Sequence, residues 1–231
     1  MTDVSAAGRF GQGPLSRAAA LIYTWLVVEL LLLATTLPGL VGLILLDHDA
    51  SNVPLVALCA LPLGPAISAA VYALHHRRRD LGDLSPAAAF LRGYRANVRG
   101  VLKIWVPWLA GLAVIGTNLA NFGAAGVPGW WAVLLVVIAV GATLWAANAL
   151  VISSLYEFRP SDVARLASYF LLRTPGATVG NLCLLVVAAG ITLYTSEAVL
   201  ALAAFALVAM LLRNCRPMIV EIQEKFTRDH P

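Results

Sequence analysis

Glu29 interrupts the first long apolar run of the chain, Ala18–Leu46. If that run is a membrane helix, the carboxyl lies about 16 Å from its basic end. A carboxylate so deep is costly and reads by default as functional, here as a proton- or ligand-linked acid. No Lys, Arg or His falls at comparable depth. Glu29 must then be protonated, or held by Asn118, Asn148, Ser68 or water. Two plainer readings stand beside this one: a neutral acid hydrogen-bonded between helices, or a span shifted around Pro38-Gly39 so that the acid sits shallower.

The second candidate is the string Leu61-Pro62-Leu63-Gly64-Pro65-Ala66-Ile67-Ser68. Pro62 and Pro65 remove backbone donors and clash with the preceding turn, so the helix should kink or open there. Gly64 and Ser68, like Ala66 and Ala70, make small-xxx-small pairs that admit another helix closely. A broken helix frees carbonyls that can line a substrate or ion site; a packing kink is the alternative. Neither site has an enzymatic companion. The chain lacks a Walker lysine loop, G-x-S-x-G, H-E-x-x-H and C-x-x-C. His75-His76 point to different helix faces and lack metal-pair spacing. Cys59, Cys183 and Cys215 suggest no disulfide framework. The reading is of a non-enzymatic protein with no cofactor and no metal.

The elements that must hold these residues follow from composition. Apolar residues make up 60% of the 231 and charged ones only 12%, about half the usual charged share, so part of the solvent is lipid. Lipid demands that every backbone polar group be paired within the segment, and the long unbroken apolar runs favour helices over barrel strands. The expected fold is all-α, a polytopic bundle of about six spans: Ala18–Leu46, Val53–Leu74, Val101–Phe122, Trp131–Tyr156, and two within Val179–Leu212. That last stretch would make about 51 Å of helix, too long for a ~30 Å core, and a break at Tyr194–Glu197 divides it.

Charge supports this count. All 16 basic residues fall in the N-terminal tail (1–17), the two loops after spans two and four, or the C-terminal tail (213–231). The opposite loops carry only Asp47, Asp49 and Glu197. Basic residues stay on the cytoplasmic side, so both termini are expected there, in a bacterial cytoplasmic membrane. Each basic loop should hold an interfacial amphipathic helix. The first starts at Ser85-Pro86 and sets Arg92, Arg95, Arg99 and Lys103 on one face, with Phe90, Tyr94, Val98 and Val101 on another. The second starts at Ser161, directs Val163, Ala167, Phe170 and Leu171 to one side, and stops at Thr174-Pro175-Gly176. With Arg77, Arg78 and Arg79, the first helix's basic face should contact anionic inner-leaflet headgroups; nucleic acid is not an expected partner. The order span, amphipathic helix, span repeats weakly between 53–122 and 131–195, where Ala87, Phe90, Leu91, Gly100 and Leu102 match Ala167, Phe170, Leu171, Gly180 and Leu182.

Leu61–Tyr72, the His-Arg run, Phe90-Leu91-Arg92-Gly93-Tyr94-Arg95-Ala96-Asn97 and the pattern from Trp25 to Leu37-Pro38-Gly39 resemble the YesL-like family of small bacterial membrane proteins. The resemblance is carried by the first half and by layout in the second. Members are associated with ABC-type carbohydrate uptake, so the resemblance implies an accessory role beside sugar permease subunits. It supplies no catalytic residues, and Glu29 lies outside it. A small-solute or ion transporter in its own right is the competing expectation.

Overall fold

The computed structural model describes residues 14–47, 49–77, 85–194 and 197–226, all helices and short connections with no strand among them. The helices are α1 (Pro14–Leu45), α2 (Val53–Cys59), α3 (Leu63–Arg77), α4 (Pro86–Ala120), α5 (Trp130–Leu155), α6 (Pro160–Arg173), α7 (Pro175–Tyr194), α8 (Glu197–Leu202), α9 (Ala204–Asn214) and α10 (Arg216–Phe226). Five stretches are long and apolar enough to cross a membrane: Ala19–Leu45, Val53–His76, Pro86–Ala120, Trp130–Leu155 and Pro175–Tyr194. The chain is thus a multi-pass helical membrane protein. The place expected for a sixth span holds two short helices, α8 and α9, meeting at Ala203. Most of the expected N-terminal tail, with Arg9, lies outside the described residues, as do Arg78, Arg79, Ser196 and the last five residues; so do the side chains of Arg17 and Arg77.

Both amphipathic segments are helical, and each is joined to its span differently. Pro86 starts α4, as its missing N–H allows, and nothing then stops the helix before Asn121. The first amphipathic segment and span three are therefore one helix of 35 residues, about 52 Å long and well beyond a ~30 Å core. Its basic residues Arg92, Arg95, Arg99 and Lys103 are all exposed. The second segment, α6, ends at Arg173, and Pro175 opens α7 immediately.

The apolar faces of these segments are buried in the bundle. Phe90 of α4 and Val163, Ala167 and Phe170 of α6 join one cluster with Val28 and Leu32 of α1, Ala66, Ala69, Ala70 and Val71 of α3, and Ile152 of α5. This core sits at the arginine-rich end. Alanines dominate on α3, and α3 and α4 make the most extensive helix pair. Gly93 permits the approach: a Cβ there would lie 2.7 Å from Tyr72 Cβ. Phe90 and Phe170, equivalent in the weak repeat, thus occupy the same core.

The C-terminal region, expected only as a tail, instead forms α10 over residues 216–226. Its Met218, Ile219 and Ile222 are buried in the same cluster, a spacing of i, i+1 and i+4 that marks one helix face. Tyr156 Oη donates to the Ile219 carbonyl (3.2 Å). Outside the core, Lys225 Nζ donates to Glu221 (2.6 Å), and Arg173 lies 3.7 Å from the same carboxylate oxygen. The Lys225 hydrogen bond, followed by the charges of Lys225 and Arg173, holds the Glu221 carboxyl below its usual range. A lowered folded value means that this tether contributes fully above the unfolded carboxylate value and is lost as pH falls through the folded one. Limited proteolysis should therefore cut around α10 faster on acidification through that window. Glu221→Gln should show the faster rate at neutral pH already, with no acid step.

Candidate functional site at the two broken helices

The first break follows from its sequence. Over Ala60-Leu61-Pro62 the helix gives way to tighter turns, with the Leu61 N–H donating to Leu58 O (3.1 Å) and the Leu63 N–H to Ala60 O (3.2 Å). Carbonyls at the break also meet groups of the neighbouring helices. Trp105 Nε1 of α4 donates to Ala60 O (3.0 Å). Gly39 of α1 presses on the Cys59 carbonyl so closely that a Cβ there would lie 2.0 Å from the oxygen. Gly64 takes the Trp105 ring on its other side, with a Cβ position 2.5 Å from the indole. Pro65 is buried in the first turn of α3. Ser68, fully buried, accepts from the Ser154 hydroxyl (2.8 Å), and Asn97 Nδ2 donates to the Ser154 carbonyl (3.0 Å). Pro62, Gly64, Pro65 and Ser68 are thus gathered into a joint between α1, α3, α4 and α5. Trp105→Phe removes the indole donor and part of the packing, and should cost roughly 1–2 kcal/mol, measured by chemical unfolding in mixed micelles.

The second break has no proline or glycine. Leu200-Ala201-Leu202-Ala203-Ala204-Phe205 favours a continuous helix, yet α8 ends and α9 begins within it. The cause lies on another helix. Glu29 Oε2 of α1 accepts the Phe205 N–H at 2.7 Å, and the Ala204 N–H also turns toward it. A carboxylate oxygen is a stronger acceptor than a backbone carbonyl, and at a helix amino end it also meets the positive end of the dipole. Glu29 is only 9% exposed, and Trp25, one turn earlier on α1, stacks on the Phe205 ring at 5.8 Å. The partners expected for Glu29 are elsewhere. Ser68 is bonded to Ser154. Asn118 is exposed and donates to Val114 O of its own helix (2.8 Å). Asn148 accepts from the Cys215 thiol (3.9 Å). No side-chain amide or hydroxyl among the described residues reaches Glu29, because the backbone of α9 takes that place.

Asn148 belongs to a separate buried group. Asn214 Nδ2 donates to Asn181 Oδ1 (3.3 Å), Asn181 Nδ2 donates to Cys215 Sγ (3.5 Å), and the thiol completes the chain to Asn148. This string ties α5, α7 and the α9–α10 corner together. Gly180 makes room for it, since a Cβ there would lie 2.7 Å from Asn214 Nδ2. Among the described residues no His, Cys, Asp and Glu side chains gather as a metal would need. Asn118 itself lines an open furrow of about 550 Å³ between α2 and α4, walled by apolar side chains such as Pro54, Leu58, Val106 and Ala110.

Sequence reasoning identified Glu29 as the residue to watch and missed Phe205 and Ala204, its actual partners. The available signal was the excess length of Val179–Leu212, which required a break without locating this second one. Compared with family models, curated proteins and solved structures, the chain finds no match.

Proposed function

We propose that the chain is a non-enzymatic accessory protein of the bacterial cytoplasmic membrane, serving an ABC-type carbohydrate uptake system beside its permease subunits. The observation that carries this reading is the fate of the polar groups in and beside the spans. Ala60 O, Ser68, Asn97, Asn148 and Asn181 end on one another or on Trp105, Ser154 and Cys215, as in a bundle built to hold a shape for others. The resemblance of the first half to the YesL-like family is what favours a carbohydrate uptake partner. The charge distribution supports six spans, the sixth formed by α8 and α9, with both termini cytoplasmic. It also supports contact of the exposed Arg92, Arg95, Arg99 and Lys103 with anionic headgroups. Purification of the tagged chain in mild detergent should recover permease subunits stoichiometrically. Recovery of the chain alone, with sugar or ion flux in liposomes, overturns this reading in favour of a small-solute or ion transporter, which the Glu29 break favours. Reporter fusions at Asp49, Gly126 and Ser196 should all report the outer side.

A further inference from the structure

Glu29 is bonded through one oxygen only. Oε2 holds the Phe205 N–H, whereas Oε1 is fully buried and has no partner among the described residues. The pair also sits deep. Glu29 is ten residues inside Ala19 and Phe205 nine before Asn214, about 15 Å and 14 Å along their helices, near the middle of a ~30 Å hydrocarbon layer. An ionised carboxylate there is supported on one side by the free N–H groups and positive dipole end of α9, a helix of 11 residues. On the other side it exposes an unpartnered charged oxygen to a medium that penalises one. Adding a proton to Oε1 removes the charge and leaves Oε2 as a carbonyl that still accepts from Phe205, by a weaker neutral bond. Both forms fit the same geometry, and they differ in how firmly they hold the break.

Ionisable groups on the surrounding elements leave this balance to the proton. No ion pair among the described residues involves Glu29. On α1, Tyr23 is exposed; on α2, Cys59 lies against Gly42 toward the far end of α1. Tyr72, His75 and His76 stand on the last turns of α3, with His76 Nδ1 at the Tyr72 carbonyl. The basic residues of α4 are exposed, and Tyr94 is half-buried at their level. Glu197 begins α8, and Arg213 of α9 is exposed about 12 Å beyond Phe205.

We propose that Glu29 and the amino end of α9 form a proton-binding site in the membrane interior, whose occupancy sets the strength of the bond between α1 and the break at Ala203. The site is independent of whether the chain is an accessory subunit or a transporter. Trp25 reports it, because its ring lies on Phe205.

The test uses the full chain in lipid nanodiscs, titrated with pH and followed by infrared difference spectroscopy and tryptophan fluorescence. A protonated-carboxyl band belonging to Glu29 should appear on acidification with a single midpoint, the ratio of ionised to protonated forms changing about tenfold per pH unit. The fluorescence component removed by Trp25→Phe should follow the same midpoint, and Glu29→Gln should abolish both transitions. Should Glu29→Gln not fold, Glu29→Asp, which keeps a carboxyl at altered reach, should shift the band and its midpoint together. A Glu29 band unchanged across the range over which the protein stays folded, no such band at any pH, or a Trp25 signal that ignores it would each overturn the proposal.

Discussion

Phe90→Ala and Phe170→Ala should be the most damaging core truncations in this protein, each lowering stability by about 3–5 kcal/mol. Both rings are completely buried, and both stand on the amphipathic segments rather than in the middle of an apolar run. Each truncation deletes a ring and leaves a cavity walled by helices that also have other contacts to keep, so collapse around it is incomplete. Phe90 is walled by α3 and its alanine face; Phe170 joins α6 to the rest of the cluster. Because both rings belong to one cluster, the double variant should depart from the sum of the singles. Unfolding by denaturant in mixed micelles measures all three. Losses below about 1 kcal/mol would show that these segments lie on the bundle without holding it.

Gly39→Ala should come next, at about 1–3 kcal/mol, and should act at a distance from any apolar cavity. The added methyl would stand 2.0 Å from the Cys59 carbonyl oxygen and 3.2 Å from Pro62. The obstructing oxygen belongs to backbone already fixed by the prolines, so α1 must move away. That displaces Glu29 on the same helix from Phe205. Reduced survival on heating in detergent should therefore accompany a changed Trp25 fluorescence, since Trp25 and Phe205 would separate. Gly100→Ala is the control, because a Cβ there meets nothing within 4 Å; it should be neutral or slightly stabilising in a helix.

These expectations separate what the sequence discloses from what it conceals. The spans were legible because hydropathy acts locally: the expected Trp131–Tyr156 and Ala18–Leu46 compare with observed Trp130–Leu155 and Pro14–Leu45. The opening at Pro62 was legible because proline lacks a donor wherever it stands. The break at Ala203 was not, since nothing in Leu200–Phe205 opposes a helix and the competing acceptor comes from a residue 176 positions away. The partners of Asn148 and Ser68 were hidden for the same reason, as periodicity gives a face and not the neighbour opposite it. Continuity of α4 is hidden because the change from basic to apolar surface suggests two elements where the backbone has no reason to stop. The helix α10 is hidden from hydropathy because its 11 residues are too few for a span and carry only three core side chains.

The position of α10 also constrains when the core can close. Met218, Ile219 and Ile222 fill the same cluster as Val28 of α1 and Ala66 of α3, so α1 and α3 wait for a helix made much later. Until the ribosome has released residues beyond Ile222, the arginine-rich end stays open and its alanine face unsealed, the kind of exposed intermediate on which quality-control proteases act. Released chains truncated before Arg216 should be short-lived in the membrane even though all of α1 to α9 is present.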